Sequence, residues 1–246
     1  MTSGKEKYNS IRIEKSGEKT EAATEKNCFA GGSAGTAEKC NLENCMLCCS
    51  LDRPETKKPR LLLHSCCGPC STSVIERLAC TYQITVFFYN PNIHDTEEYE
   101  KRKKTQIQFL NQLNSSNLYE DKIDFIEGEY DPESFFEVSR GLEEEREGGA
   151  RCEKCFFLRL ERTAVKAKTH GFDTFATTLT VSPYKNYTLI AEIGRRLAFQ
   201  YGLSYLDIDF KKKDGYRRSI ELSKQYGLYR QHYCGCLFSM PKTEGC

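Results

Sequence analysis

The stretch RLLLHSCCGPCSTSVIERLAC, residues 60–80, joins a short apolar run to a cysteine-rich turn and a helical segment. A near-continuous apolar run such as residues 60–65 is typical of a strand buried in a parallel sheet. Pro69 marks the expected start of a helix, because proline is favoured in the first helical turn. The stretch therefore predicts a strand–turn–helix unit that carries Cys66, Cys67 and Cys70 at its turn.

The alternation of strand and helix continues along the chain. Further strands are predicted at 84–90, 122–130, 172–178 and 204–210. Further helices are predicted at 96–114, after 131–132, at 152–170, along the stripe of Leu189, Ile193 and Leu197, and at 219–227. Thr96 and Asp131 are the expected N-caps. This order predicts a doubly wound parallel α/β sheet, whose ligands lie beyond the carboxyl ends of the strands.

Residues 1–59 differ in composition from the rest. They contain few large apolar residues and include AGGSAGTAE at 30–38, so they cannot bury enough surface to offset their chain entropy. We interpret 1–59 as a disordered, Cys-containing N-terminal tail and 60–246 as one metal-binding α/β domain. The tail also contains CNLENCMLCC at 40–49, whose spacing could bind a metal but which we interpret as incidental or weakly metal-binding thiols.

Composition limits the compartment and the class of protein. The 246 residues carry a net charge of only +1, so any nucleic-acid contact must be local. No apolar run approaches the length of a membrane span, and the acidic, weakly apolar start is neither a secretory signal nor a transit peptide. We therefore expect a cytoplasmic protein without a membrane partner. Fourteen cysteines in that compartment favour metal binding or redox chemistry over disulfides.

Three cysteine motifs in the predicted domain supply seven thiols. The motifs are HSCCGPC (64–70), RCEKC (151–155) and YCGC (233–236), and the thiols are those of Cys66, Cys67, Cys70, Cys152, Cys155, Cys234 and Cys236. A structural zinc or a cubane iron–sulfur cluster takes four thiolates. Seven thiols would suit one cluster and a second metal with three protein ligands and an open position. Helix N-termini are expected to stabilise the thiolates of Cys70 and Cys152.

Five blocks, in this order, resemble the QueH-type epoxyqueuosine reductases, the cobalamin-independent enzymes of the queuosine tRNA pathway. They are LLLHSCCGPC, FFYNPNIHDTEEYEKR, ARCEKCFFLRLERTA, FATTLTVSPYKN and GLYRQHYCGCLFS, and they cover roughly residues 60–240. The resemblance implies an adenine nucleotide α-hydrolase-like fold. HSCCGPC stands where those proteins carry a phosphate-binding Gly/Ser loop, which argues against ATP use. Asp95 departs from the family pattern, which usually has proline there.

The resemblance also implies a [4Fe–4S] cluster beside a mononuclear iron, held by the seven thiols. Cys70 would be a ligand of the single iron, and the C-terminal Cys-containing segment would close the metal site. The implied reaction is the last step of queuosine biosynthesis. It removes the epoxide oxygen of epoxyqueuosine at the wobble position of tRNA, with two protons and two electrons from an external donor.

Several side chains are candidates for the remaining roles. An acid must protonate the departing oxygen, and the candidates are Tyr89, His94, Tyr184 and His232, each of which could instead only pack or cap a loop. His64 is either a satisfied buried histidine or a support for the cluster. The candidates for tRNA phosphate contacts are Arg217 and Arg218, expected after a flexible loop, together with Arg230, and Arg159 with Arg162 forms another basic cluster.

Three other functions are consistent with parts of this pattern. A zinc-stabilised tRNA-binding α/β module without redox catalysis would need at most two closed metal sites. An iron–sulfur tRNA thiolase would need an ATP loop after the first strand. A thiol–disulfide oxidoreductase using Cys152 and Cys155 would leave five thiols unexplained. The oligomeric state and the identity of the electron donor stay open.

Overall fold

The apolar run at the start of the predicted domain forms the central strand of a five-stranded sheet. A computed structural model describes residues 57–240, so nearly all of the predicted tail and residues 241–246 lie outside the described residues. The strand order is β3-β2-β1-β4-β5, and every neighbouring pair is parallel. The strands are β1 (Arg60–His64), β2 (Gln83–Phe88), β3 (Asp124–Glu127), β4 (Thr174–Thr177) and β5 (Ser204–Tyr205).

Helices cover both faces of this sheet. They are α1 (Gly68–Leu78), α2 (Thr96–Ser115), α3 (Pro132–Ser139), α4 (Ala150–Thr169), α5 (Tyr187–Tyr201) and α6 (Gly215–Gln225), with 3₁₀ turns at Thr178–Val181 and Leu237–Ser239. Leu61 and Leu63 pack with Val74 of α1 and Phe109 of α2. Leu62 lies in a second cluster, on the other face of the strand, with residues of α4 and α5. The predicted doubly wound parallel α/β sheet is confirmed.

None of the helices within residues 57–240 combines the length and the apolar character that crossing a membrane requires.

Strand β5 is much shorter than the predicted strand 204–210. Its partner β4 ends at Thr177, and the chain then turns into the 3₁₀ helix. The Leu206 N–H still donates to the Phe175 carbonyl, but beyond that point no strand continues beside residues 207–210. The Thr180 hydroxyl takes over by donating to the Ile208 carbonyl and accepting from the Phe210 N–H. The alternating apolar residues of this segment are therefore partly buried although they do not form a strand.

The N-cap of α2 is Asp95, one residue before the predicted Thr96. The Asp95 side chain accepts a hydrogen bond from the Glu97 N–H at 2.9 Å. This contact explains the aspartate at a position where the resembled family usually has proline. The predicted N-cap at Asp131 is confirmed, since its side chain accepts from the Ser134 N–H at the start of α3.

His64, the last residue of β1, is fully buried and ties together three strands. Its Nε2 lies 3.1 Å from the Tyr89 carbonyl after β2, and its Nδ1 lies 2.9 Å from the Thr177 hydroxyl at the end of β4. Burial and the neighbouring positive charge of Arg159 lower the pKa of His64 to about 3. The neutral ring thus donates from Nε2 and accepts at Nδ1. Of the two readings of His64, the satisfied buried histidine is the one observed.

Asp95→Ala tests the capping assignment. We expect it to lower the free energy of unfolding by about 1 kcal/mol, because one amide at the start of α2 loses its acceptor. Thr96→Ala is the matched control and should change the free energy by less than about 0.5 kcal/mol. Urea unfolding of both variants gives the comparison. A larger loss for Thr96→Ala than for Asp95→Ala would restore Thr96 as the cap.

Candidate metal centre

The turn after β1 brings the first three thiols together. Cys67 is the N-cap of α1, and Cys70 lies in its first turn, so both face the carboxyl end of the central strand. The sulfurs of Cys66, Cys67 and Cys70, the thiol triad, all lie within 4.8 Å of one another, and Cys66 Sγ is 3.9 Å from Cys67 Sγ. Gln231, from the C-terminal segment, donates from Nε2 to Cys67 Sγ at 2.9 Å.

The four remaining thiols form a second set beside the triad. Cys152 and Cys155 lie in the first two turns of α4, and Cys234 and Cys236 lie in the irregular segment after α6. These four residues, the thiol tetrad, line one pocket together with Phe135 of α3. Cys234 also lines the cavity that Cys66 and Cys70 line, so the two sets are neighbours. The structure thus brings all seven predicted thiols to one edge of the sheet.

The proton affinities differ between the thiols. Hydrogen bonds from Cys67 and Cys70 hold the pKa of Cys66 well below its ordinary value. The same contacts raise the pKa of Cys67 to about 12 and raise that of Cys70 as well. Burial raises the pKa of Cys152. These directions run against the expectation that helix N-termini favour the thiolates of Cys70 and Cys152, because neighbouring thiols raise the pKa of Cys70 and burial raises that of Cys152.

Burial also favours the protonated form of two further thiols of the tetrad. Burial raises the pKa of Cys155 to about 12 and that of Cys236 to about 11. A metal must displace these protons, so metal binding at the tetrad should strengthen as the pH rises. The Gly148 N–H donates to Cys152 Sγ at 3.2 Å and partly offsets the effect of burial there.

A buried arginine fixes the C-terminal segment in place. Arg102 of α2 donates to the Cys234 carbonyl at 2.9 Å and to the Tyr233 carbonyl at 3.2 Å. Its Nε donates to Glu98 at 2.6 Å, which also accepts from the Tyr229 hydroxyl. Arg102 is 1% exposed, so these bonds are shielded from water.

The glycine of the CGC motif is required by this contact. Gly235 has a φ of 98°, which L side chains rarely adopt. A Cβ there would lie 2.8 Å from Ile93 and 3.0 Å from Arg102. Gly235 therefore lets Cys234 and Cys236 approach α2 closely, and its carbonyl lies 3.4 Å from His94 Nδ1.

A cavity of about 340 Å³, the basic cavity, opens beside both thiol sets. Its lining combines Cys66, Cys70 and Cys234 with aromatic and basic side chains from five segments of the chain. The aromatic residues are Tyr184, Tyr216 and Tyr233, and the basic residues are Arg102, Arg159, Lys185, Arg230 and His232. Tyr184 is 78% exposed, an unusual position for a large aromatic side chain. The cavity can therefore offer cations and ring faces to an anionic, base-containing ligand.

The predicted proton donors are divided between two places. Tyr184 and His232 line the basic cavity. Tyr89 lines a different cavity, between the ends of β2 and β3 and the second half of α4, and its ring packs on Phe87. His94 holds the C-terminal segment and does not line the basic cavity. The structure therefore separates Tyr89 and His94, two of the four proton-donor candidates, from the cavity beside Cys70.

The predicted phosphate-binding arginines also separate. Helix α6 begins at Gly215 and not at the predicted residue 219, so Arg217 and Arg218, which were expected after a loop, lie in the first turn of the helix. Arg218 donates to Glu76 of α1 at 2.7 Å, and Arg217 pairs with Glu221 on its own helix. Arg230 lies at the basic cavity and stacks on Tyr216. Of these three residues, only Arg230 reaches that cavity.

Sequence reasoning missed two residues of the site and expected two others in different surroundings. Lys185 and Gln231 touch or line it without being candidates in the sequence analysis, although both stand in resemblance blocks. Arg102 ends the resemblance block FFYNPNIHDTEEYEKR and belongs to the basic run 101–104, which we expected to be a solvated face, but it is buried at the site. The sequence groups Arg159 with Arg162 as a basic cluster for tRNA phosphates, but Arg159 is 1% exposed and faces the thiols. The signal was its position four residues after Cys155, which places both on one face of α4.

Comparison with known proteins agrees with this geometry. Residues 61–242 match the family described as epoxyqueuosine reductase QueH. An epoxyqueuosine reductase QueH of Staphylococcus epidermidis is 46% identical over 188 residues, covering 76% of this chain and 78% of that protein. The epoxyqueuosine reductase QueH of Streptococcus pyogenes is 45% identical over 78% of this chain and 74% of its own length. The one in Thermotoga maritima is 36% identical over 73% of this chain and 90% of its own length. The chain belongs to the QueH family of epoxyqueuosine reductases.

Proposed function

We propose that this chain converts epoxyqueuosine in tRNA to queuosine at a metal centre held by the thiol triad and the thiol tetrad. The observation that carries the proposal is the convergence of seven thiols, in sets of three and four, beside one basic cavity. The relatives named as epoxyqueuosine reductases support the substrate. No finding favours the zinc-stabilised module without catalysis.

The triad fits a single metal ion. Tetrahedral bonds of about 2.3 Å between metal and sulfur require sulfurs about 3.8 Å apart, and Cys66 and Cys67 meet that spacing at 3.9 Å. Thiolates favour iron or zinc over hard cations. Three protein ligands leave one position for another group, and Cys66 and Cys70 face the basic cavity from which it could arrive. We assign the mononuclear iron to Cys66, Cys67 and Cys70.

The tetrad fits a larger group. Its four residues surround one pocket. Within residues 57–240, only the triad has its ligand atoms within 4.8 Å of one another, so the tetrad sulfurs are spread more widely. A cubane cluster needs four thiolates, spaced more widely than around one ion. We assign the [4Fe–4S] cluster to Cys152, Cys155, Cys234 and Cys236.

The reaction has a definite balance. Both C–O bonds of the epoxide break, a carbon–carbon double bond forms, and two electrons and two protons release the oxygen as water. When bound, the iron centre supplies a Lewis acid and a route for electrons from an external donor. The protein must hold the epoxide beside the triad and deliver protons there. His232, Tyr184 and Lys185 line that cavity and are the proposed sources, in place of Tyr89 and His94.

The basic cavity suits an unpaired anticodon nucleotide. The reacting base must leave its loop to reach the triad, and RNA-binding proteins commonly stack such bases on aromatic rings. Tyr184 stands exposed at the cavity, and Arg230 lies near it for a phosphate. Positive charge is thus concentrated at the site, although the chain as a whole is nearly neutral.

The direct test is turnover by anaerobically purified protein. The protein, reconstituted with iron and sulfide and reduced with dithionite, is mixed with tRNA that contains epoxyqueuosine. We expect queuosine to appear in the digested nucleosides, measured by mass spectrometry, and zinc-loaded protein to give none. Iron- and sulfide-loaded protein that binds the tRNA but forms no queuosine would overturn the proposal.

Cys70→Ala and Cys155→Ala separate the two metal assignments. Cys70→Ala should keep about four iron and four sulfide per chain and most of the visible absorbance, yet lose activity. Cys155→Ala should lose most of its sulfide and colour, because it removes a cluster ligand. Iron and sulfide analysis with visible spectra gives the comparison. A colourless Cys70→Ala protein would refute the assignment of Cys70 to the single iron.

Arg230→Ala tests the phosphate contact. We expect weaker tRNA binding, with the slope of log K against log salt smaller by about one. Arg218→Ala is the control, since its guanidinium already pairs with Glu76. Binding measured over a range of salt concentrations checks both. Equal losses in the two variants would mean that Arg230 makes no special contact.

Tyr184→Ala tests the stacking role. Loss of one stacked base costs about 1–3 kcal/mol, so tRNA binding should weaken roughly tenfold or more, while Tyr184→Phe retains it. Phe199→Ala is the matched control, because Phe199 is 92% exposed on α5 and lines none of the cavities described above. Binding unchanged in Tyr184→Ala would place the base elsewhere.

A further inference from the structure

Arg159 is a buried positive charge between the two thiol sets. It lies on α4 one turn after Cys155, and it lines the basic cavity together with Cys66 and Cys234. Its side chain reaches under the turn that follows β1, where Nη2 donates to Asn90 Oδ1 at 2.6 Å. Asn90 in turn donates to the Ser65 carbonyl at 3.0 Å, directly before the triad. The guanidinium is therefore fixed in one position relative to both thiol sets.

This guanidinium has no carboxylate partner within residues 57–240. The ion pairs there include Arg102 with Glu98 and Arg218 with Glu76, but none with Arg159. Its Nε is buried and has no hydrogen-bond partner among the described residues. Cys66 and Cys234 line the same cavity as Arg159, and Cys155 lies one turn earlier on the same face of α4.

A buried charge without a counter-ion is costly. Glu147 lines the same cavity but forms no ion pair with Arg159, and the other groups there that can supply negative charge are the cysteine sulfurs. Of the three cysteines named above beside Arg159, Cys66 belongs to the triad, and the other two belong to the tetrad. We propose that Arg159 is the shared counter-ion of both thiol sets and raises the reduction potential of the metal centre they hold. This inference rests on the function proposed above.

The direction of the effect follows from charge. Each electron added to a thiolate-bound iron centre makes it one unit more negative, and net charge and hydrogen bonds to sulfur help set such potentials. A fixed positive charge in a poorly screened interior stabilises the reduced form more than the oxidised form. Arg159 is thus a positioning and tuning residue, which acts through the cofactor and not on the substrate itself.

Three variants separate charge from packing. Arg159→Met removes the charge and keeps much of the apolar volume, whereas Arg159→Lys keeps the charge. Arg162→Met makes the same chemical change on the same helix, at an exposed residue that lines the other cavity. Each protein is purified anaerobically, and its iron and sulfide contents are measured. Its midpoint potential is determined by stepwise reduction with dithionite and mediators, followed by visible absorbance and electron paramagnetic resonance.

We expect the midpoint potential of Arg159→Met to lie at least 59 mV below that of the unmodified protein. This shift corresponds to an equilibrium constant for one-electron reduction that is at least tenfold smaller. The midpoint potential of Arg159→Lys should fall by less than 59 mV, and that of Arg162→Met should equal the potential of the unmodified protein. Arg159→Met with full iron and sulfide and an unchanged potential would overturn the inference. A midpoint potential that falls as far in Arg159→Lys as in Arg159→Met would also overturn the inference.

Failure to assemble is also decisive. If Arg159→Met holds no cluster, the inference requires that Arg159→Lys holds it at nearly the original potential, and loss of the cluster from both would refute a role of charge. Unmodified protein without iron or sulfide would instead overturn the proposed function, so the two failures are distinguishable.

Discussion

The site depends on the hydrogen bonds that Arg102 donates to two backbone carbonyls. Cys234 and Cys236 lie roughly 80 residues after Cys155, in a segment with little regular structure of its own. Two hydrogen bonds from one buried guanidinium fix that segment against α2, and Glu98 holds the guanidinium. Because Arg102 and Glu98 are both buried, truncating either one leaves the other without its charged partner, which is costly. The tetrad is therefore assembled by tertiary contacts and not by local spacing.

The sheet topology decides where this assembly stands. Strand β1 lies between β2 and β4, so the chain leaves its carboxyl end at the point where the strand order reverses. Doubly wound sheets bind ligands at that point. Here the turn after β1 carries the triad, and α4 contributes Cys152 and Cys155 to the neighbouring set. The same place therefore holds the triad, the buried Arg159 and the mouth of the basic cavity.

Much of this arrangement was predictable from the sequence. The apolar run before Cys66 predicts the central strand and, with the alternation that follows it, the fold class. The three cysteine motifs identify the seven thiols of the site, because both signals are local in sequence. The sets of three and four emerge only from the fold. Tertiary partners also override local pattern elsewhere: Thr180 replaces a strand partner beside residues 207–210, and Glu76 captures Arg218. Burial likewise reverses the expected thiolate preference of Cys152.

The central claim is that two distinct iron sites stand side by side, one on the triad and one on the tetrad. Anomalous diffraction at the iron absorption edge, from crystals of anaerobically purified protein, tests it most directly. The account predicts one compact peak bounded by Cys66, Cys67 and Cys70 and a separate, larger peak bounded by Cys152, Cys155, Cys234 and Cys236. A single iron site spanning both sets, or zinc in place of iron at both, would contradict it.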